Sequence, residues 1–213
     1  MTRLLLIRHG QSVANIEKFF AGHIDSPLTQ LGMEQARLTA QYIASVYRVN
    51  HVYASDLSRA YLTGKSIADQ FGMKAVACRE LRELYAGLWE GVPYACISDR
   101  FPESYNVWLT NIGNAVSDEG ESVKQLYDRV VDKILDICRQ HPDQTIAVAT
   151  HATPIRALQC YCEGKTLDEM KNVPWVSNAS VSEFYYENNR LVLKSASYDD
   201  HLGVLTSVLP DKC

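Results

Sequence analysis

Leu4-Leu5-Leu6-Ile7-Arg8-His9-Gly10-Gln11-Ser12 joins an unbroken apolar run to a basic, imidazole-bearing turn. Four consecutive apolar residues closed by a polar turn read as a strand covered on both faces, as in a parallel sheet with helices on either side. Outward from this stretch the unit repeats. Thr29 stands where it can cap a helix whose apolar stripe is Ala36, Ala40, Ile43 and Tyr47. Val52-Tyr53-Ala54 is a short strand, and Ser55 and Asp56 are cap candidates for a helix bearing Ala60, Gly64, Ile67, Ala68 and Phe71, stopped by Gly72. Residues 74–78 read as a third strand and 145–149 as a fourth. Between them, Ser122 with Gln125 forms a capping-box pattern ahead of the stripe Val123, Leu126, Val130, Ile134 and Ile137. Pro154 sits where another helix begins. Residues 181–186 and 191–195, joined through Glu187-Asn188-Asn189-Arg190, read as a final hairpin. This alternation predicts an α/β fold, a three-layer sandwich with a mostly parallel sheet flanked by helices.

The segment 91–119 breaks the rhythm with two prolines, several aromatics and no lysine, and reads as an insertion lying over the sheet. With no linker, internal repeat or low-complexity tract, residues 1–213 read as a single domain with a cap-like segment around 91–120. A hydrophobic content of 46% and a charged content of 22% are ordinary globular values and exclude disordered and fibrous classes. A net charge of -4 argues against a nucleic-acid or anionic-membrane surface, since nothing would neutralise a run of phosphates. The apolar run Leu4 to Ile7 is too short for a signal-peptide core or a membrane span. Six cysteines (Cys78, Cys96, Cys138, Cys160, Cys162 and Cys213) with no C-x-x-C pair argue against a disulfide scaffold or a zinc knuckle. The expectation is a soluble, cytoplasmic protein.

Ligands of open α/β sheets lie at the carboxyl ends of the strands, so the residues following each strand are the candidates. They are Arg8-His9-Gly10-Gln11-Ser12 with Asn15 close behind, Asp56-Leu57-Ser58-Arg59-Ala60, the segment 80–90, and His151-Ala152-Thr153-Pro154. Two arginines, two histidines and a carboxylate would converge on one rim. That set suits a phosphoryl group, because guanidinium forks grip phosphate oxygens and an imidazole can attack phosphorus. Taken singly, each has a plainer reading: His9 as a structural histidine, Arg59 paired with an acidic neighbour, Asn15 as a loop cap. Glu83 competes with Glu80 and Glu90. Gly64-Lys65-Ser66 imitates the tail of a nucleotide-binding loop, but the glycine required five positions earlier is Arg59. His23, His51, His141 and His201 show no ligand spacing and read as surface or packing residues.

Six motifs in order, R-H-G-x-S (from Arg8), L-T-x-x-G-x-x-Q-A (from Leu28), S-D-L-S-R-A (from Ser55), L-R-E-L-x-x-G-x-W-E-G (from Leu81), G-E-S (from Gly120) and T-H-A-T-P-I-R (from Thr150), resemble the histidine phosphatase superfamily. More narrowly they resemble its branch of phosphoglycerate mutases and their phosphatase relatives. The resemblance spans about residues 3–186 and implies the phosphoglycerate mutase-like fold. It implies His9 as a nucleophile that carries a phosphohistidine. Arg8, Arg59, Asn15 and the backbone at Ala152 would bind phosphate, a protonated His151 would steady the transition-state charge, and Glu83 would serve as acid and then base. Arg8 and Arg59 would oppose protonation of His9 and keep it nucleophilic. The scheme requires no metal and no cofactor, and the partner it implies is a small-molecule phosphate ester, with a homodimer as the base-rate assembly.

Three departures bear on the reaction. Where mutases of the branch carry charged residues and a His-Tyr pair after the catalytic Glu, this chain has Leu84-Tyr85-Ala86-Gly87-Leu88. Between residues 91 and 122 the only basic residue is Arg100, against Asp99, Glu103, Asp118, Glu119 and Glu121, a balance that would repel a bisphosphate intermediate. His151 is followed by Ala152 rather than glycine, and Ala21 offers only its backbone N–H. The expected activity is metal-independent phosphomonoester hydrolysis, with a mutase-type isomerase or a non-catalytic phospho-ligand binder as alternatives. Tyr94, Phe101, Tyr105 and Trp108 either roof the pocket for an uncharged or aromatic ester or anchor the insertion.

Overall fold

In the computed structural model, which describes residues 1–207, the apolar run forms an inner strand of a six-stranded sheet. Strands β1 (Thr2–Arg8), β2 (His51–Ser55), β3 (Val76–Cys78), β4 (Thr145–Thr150), β5 (Val181–Glu187) and β6 (Arg190–Tyr198) lie in the order β3-β2-β4-β1-β5-β6. The first four are parallel, and β5 and β6 add an antiparallel hairpin beside β1. Ile7 of β1 lies opposite Ala149 on one side and Val181 on the other, so the nucleophile candidate leaves a strand paired along both edges.

Both faces are covered, which explains the unbroken apolar run. After the short α1 (Val13–Glu17), helices α2 (Gln30–Val46) and α3 (Ser58–Gln70) cover one side, where Leu5, Ile7 and Ala147 pack with Ala40, Ile43, Ile67 and Ala68. On the other, α6 (Val123–Gln140) and α7 (Ala152–Cys162) bring Val130, Ile134, Ile155 and Leu158 against Leu4, Leu6, Ile146 and Val148. Leu4, Leu5, Leu6 and Ile7 are 0% exposed. At about 1.5–3 kcal/mol per buried side chain, this strand alone contributes roughly 6–12 kcal/mol, an upper bound against an extended chain.

Local signals hold at the starts of α2 and α6. The Thr29 hydroxyl accepts from Gly32 N at 2.9 Å, and Ser122 and Gln125 cap each other reciprocally at 2.8 and 3.1 Å. The start of α3 differs from expectation. Its cap residue is Leu57, because Asp56 is drawn into a bidentate pair with Arg82 and Ser55 turns to His151. A carboxylate from elsewhere, Asp25, accepts from Ser58 N at 2.7 Å instead. The third strand is also shorter than expected, Val76–Cys78, since an edge strand whose Val76 and Ala77 are exposed pairs only along Tyr53–Ser55 of β2.

The segment 91–120 folds as α4 (Tyr94–Arg100), α5 (Pro102–Thr110) and a 3-10 turn, Ile112–Asn114. It enters the core. Trp108 meets Phe20 at 5.3 Å and Trp89 at 6.0 Å, and Tyr105 meets Trp89 at 5.7 Å, all edge-on. Among the described residues no helix is long and apolar enough to cross a membrane. Cys78, Cys96, Cys138, Cys160 and Cys162 are free thiols, and Cys213 lies outside the described residues.

Candidate active site

His9 directly follows β1. Its Nδ1 lies 2.7 Å from the carbonyl of Gly10, which can only accept, so the ring proton resides on Nδ1 and Nε2 carries the lone pair. The backbone is fastened on all sides. His9 N donates to Thr150 O at 3.0 Å, and its carbonyl accepts from Ala179 N at 3.2 Å and Asn178 Nδ2 at 3.1 Å. Asn178 is held by Ser207, whose hydroxyl and carbonyl bond its side chain and its N–H. Gln35 accepts from Gln11 N and donates to the carbonyl of Leu205, both within 2.8 Å. Gly10 and Gly32 meet backbone to backbone. A Cβ on Gly10 would strike the Gly32 carbonyl, and one on Gly32 would strike Gln11 O, which accounts for both glycines.

Burial is the largest influence on the His9 imidazole, and with Arg59 and Arg8 beside it the ring is held neutral, well below its ordinary pKa of 6.5. Arg59, buried in the first turn of α3, donates to Gly22 O at 2.8 Å and Ile24 O at 2.9 Å, not to an acidic neighbour. Gly22 has φ +50°, and a Cβ there would collide with the Glu90 carboxylate. Arg8 donates to Val176 O at 2.6 Å.

His151 caps α7, edge-on to His9 with ring centroids 5.1 Å apart. Its Nε2 lies 2.8 Å from Ser55 Oγ, while Nδ1 is buried without a hydrogen-bond partner. The sequence reading has this imidazole protonated. Burial first, then the charge of Arg59, drives its pKa well below 6.5, so it is neutral here.

Glu83 follows the 3-10 turn Arg79–Leu81. Its carboxylate accepts from Leu84 N at 2.8 Å and Thr153 N at 3.3 Å, which ties it to the start of α7. Its carbonyl accepts from His23 Nε2 and Arg129 Nη2, both at 2.9 Å. Arg129 also bonds the carbonyls of Glu80 and Arg82 and pairs with Glu121, clamping the whole segment. The two competitors fall away: Glu80 is exposed, and Glu90 accepts from His23 N and Ala86 N outside the cavity lining. Asn15 does cap its loop, since Oδ1 accepts from Ser12 N at 2.9 Å, yet the residue also lines the cavity.

Arg8, His9, Asn15, Arg59, Glu83 and Ala152 line one cleft of about 510 Å³, its mouth included, and His151 lies behind His9. The same cleft has an aromatic wall of Phe19, Phe20, Tyr94, Trp108 and Trp175. Of the four insertion aromatics, Tyr94 and Trp108 face the cleft, Tyr105 packs on Trp89, and Phe101 borders a separate surface depression. His23, Arg129, Asn178 and Trp175 are contributors that sequence motifs do not single out, and Ser55, which opens one motif, gains its contact to His151 only in the fold. His51 and His141 stack on each other at 3.8 Å, and His201 stacks on Tyr42 at 4.7 Å. Gly64-Lys65-Ser66 lies inside α3, with Lys65 paired to Asp69. Among the described residues no group of three or more His, Cys, Asp or Glu side chains is placed to hold a metal ion.

A neutral imidazole with a defined lone pair, flanked by buried guanidiniums and faced by a carboxylate, is a site for phosphoryl transfer. Residues 4–199 match the family profile described as histidine phosphatase superfamily (branch 1). The chain is 29% identical over 203 residues to phosphoserine phosphatase 1 of Hydrogenobacter thermophilus, covering 95% of each. It is 29% identical over 210 residues to a metal-independent phosphoserine phosphatase of Arabidopsis thaliana, covering 95% of this chain and 84% of that one. Among solved structures, Bacillus stearothermophilus YhfR shares the fold with a TM-score of 0.90 at 23% identity, over 95% of this chain and all of its own. The chain belongs to the histidine phosphatase superfamily, branch 1, and is a phosphoric monoester hydrolase of that family.

Proposed function

We propose that the protein hydrolyses small phosphate monoesters in the cytoplasm, without a metal, through a phosphohistidine on His9. The observation that carries this reading is the state of His9: its proton is held on Nδ1 by Gly10 O, and it is buried beside Arg8 and Arg59 with Nε2 unprotonated. Nε2 attacks phosphorus as the ester P–O bond breaks, and Arg8 and Arg59 hold the non-bridging oxygens. With Asn15 Oδ1 engaged by Ser12, its NH₂ group is the part that can donate to phosphate. The backbone at Ala152, the first residue of α7, adds the helix N-terminal field. Ser55 accepts from Leu57 N and can donate to His151 Nε2, which places a proton on His151 Nδ1 and makes it a neutral donor toward phosphate.

Glu83 gives its proton to the departing alkoxide. Water then attacks phosphorus, its proton passes to the Glu83 carboxylate, and the N–P bond breaks to release orthophosphate. Hydrolysis is favoured over return of the phosphoryl group to a second acceptor. The insertion's sole cation between residues 91 and 122, Arg100, lies on the Phe101 ring at 5.3 Å, away from the cleft. Residues 91–120 act as a cap within one catalytic domain. The names of the phosphoserine phosphatase relatives support a small phosphorylated substrate.

The test is phosphate release from 1-naphthyl phosphate in the presence of a chelator, with wild type and His9→Ala side by side. The expected result is turnover that disappears in the variant, together with an acid-labile phosphoryl group on the wild-type protein only. Release that survives in His9→Ala would remove His9 as the nucleophile.

A further inference from the structure

We infer that the cleft selects phosphate esters of uncharged, apolar alcohols, aromatic ones foremost, over phosphorylated amino or hydroxy acids; this substrate class rests on the hydrolase reading above. The charged residues lining the cleft are Arg8, Arg59 and Glu83. The two arginines are taken up by the phosphoryl group and Glu83 by the proton, so among the described residues the remaining lining offers no cation. A carboxylate carried beside the phosphate would lose its water without gaining a counter-charge, which is a strongly unfavourable exchange.

What the remaining lining does offer is ring surface. Phe20 meets Tyr94 at 5.9 Å and Trp108 at 5.3 Å, and Trp108 meets Trp175 at 6.3 Å, so the rings form one continuous wall. Rings packed edge-on and tilted in this way present an apolar surface on which a planar apolar group can lie. Lys18, whose carbonyl accepts from Tyr94 N at 2.9 Å, is exposed and outside the lining, and Arg156 is buried against the Trp175 ring. It lies 4.0 Å from the Trp175 ring centroid and donates to Val173 O and Met170 O, each at 2.9 Å, so it supports the ring and does not line the cleft. The wall assigns Trp175 and Tyr94 as specificity residues, each half-buried and in reach of a ligand.

The test separates recognition from chemistry. Binding to His9→Ala is measured by calorimetry for 2-phenylethyl phosphate and O-phosphoserine, both alkyl esters, with inorganic phosphate as reference. The aromatic ester is expected to bind at least about 30-fold more tightly than phosphoserine. Trp175→Ala and Tyr94→Ala, each added to His9→Ala, are expected to cut that preference by about 10-fold while leaving phosphate binding intact. Loss of phosphate binding identifies a misfolded variant, in which case the other variant reads the same wall. Phosphoserine binding as tightly as the aromatic ester, or a preference unmoved in a variant that still binds phosphate, overturns the inference. Wild-type turnover is scored separately: if the binding preference holds but no ester is hydrolysed, the hydrolase reading fails and the recognition assignment stands.

Discussion

Lowering the pH should destabilise this protein through His9 and His151 specifically. Both imidazoles are buried and neutral, with folded-state pKa values well below 6.5. As pH falls, the unfolded chain therefore takes up protons before the folded one does. The stability associated with the pair is fully present above pH 6.5 and is lost as pH drops toward the folded pKa values. An imidazole that stays neutral in the fold while titrating at about 6.5 when unfolded costs about 2 kcal/mol between pH 7.5 and 5.0, so the pair costs about 4 kcal/mol. For a chain of this size that corresponds to a Tm decrease of about 8–16 °C. Carboxylates titrate over the same range, so the measurement is a difference: urea unfolding of wild type and His9→Gln/His151→Gln in phosphate-free buffer at both pH values. The double variant should lose about 4 kcal/mol less than wild type over that interval. Equal losses would show that neither imidazole is held neutral by the fold, and the argument for an unprotonated His9 would go with it.

Glu83→Gln should slow alkyl phosphate hydrolysis by about 10²–10⁴-fold but 4-nitrophenyl phosphate far less, because nitrophenolate leaves without a proton; equal losses on both esters would remove Glu83 as the acid. Ser55→Ala leaves His151 Nε2 buried and unpartnered, at a cost of about 1–3 kcal/mol in urea unfolding and with a lowered kcat; an unchanged unfolding curve would contradict the bond. Gly32→Ala drives a methyl into Gln11 O and should cost about 1–3 kcal/mol while weakening phosphate inhibition; a variant as stable and as phosphate-sensitive as wild type would show that the two backbones are farther apart than described.

Much of this architecture is legible in the chain because its causes are local. Leu4 to Ile7 must be covered on both faces, Thr29 and Ser122 cap the residues just after them, and residues placed at four strand ends converge once the strands are parallel. Long-range causes are not legible. Asp56 looks like a cap until Arg82 is folded beside it, and Ser55 gains its role from His151, 96 positions away. His23 and Arg129 act on Glu83 through its carbonyl, and backbone acceptors leave no pattern in side-chain identity. The charge of His151 depends on burial among Arg59 and His9, which spacing does not encode. Three of the five wall aromatics are Phe19, Phe20 and Trp175, which the topology alone brings together with Tyr94 and Trp108.

The fastening of His9 has a consequence during synthesis. His9 leaves the ribosome long before Asn178 and Ala179, yet they hold its carbonyl, and Asn178 is held in turn by Ser207. Gln11 reaches the same distal stretch through Gln35 and Leu205. Domains acquire structure from the N-terminus as they emerge, but contacts spanning nearly the whole chain close last. A nascent chain that has emerged through β4 and α7 can thus complete the parallel part of the sheet while the turn at His9 still lacks these anchors. The turn is anchored only once residues 178–207 have emerged, so a ribosome stalled before them would display a largely folded chain whose His9 is still loose.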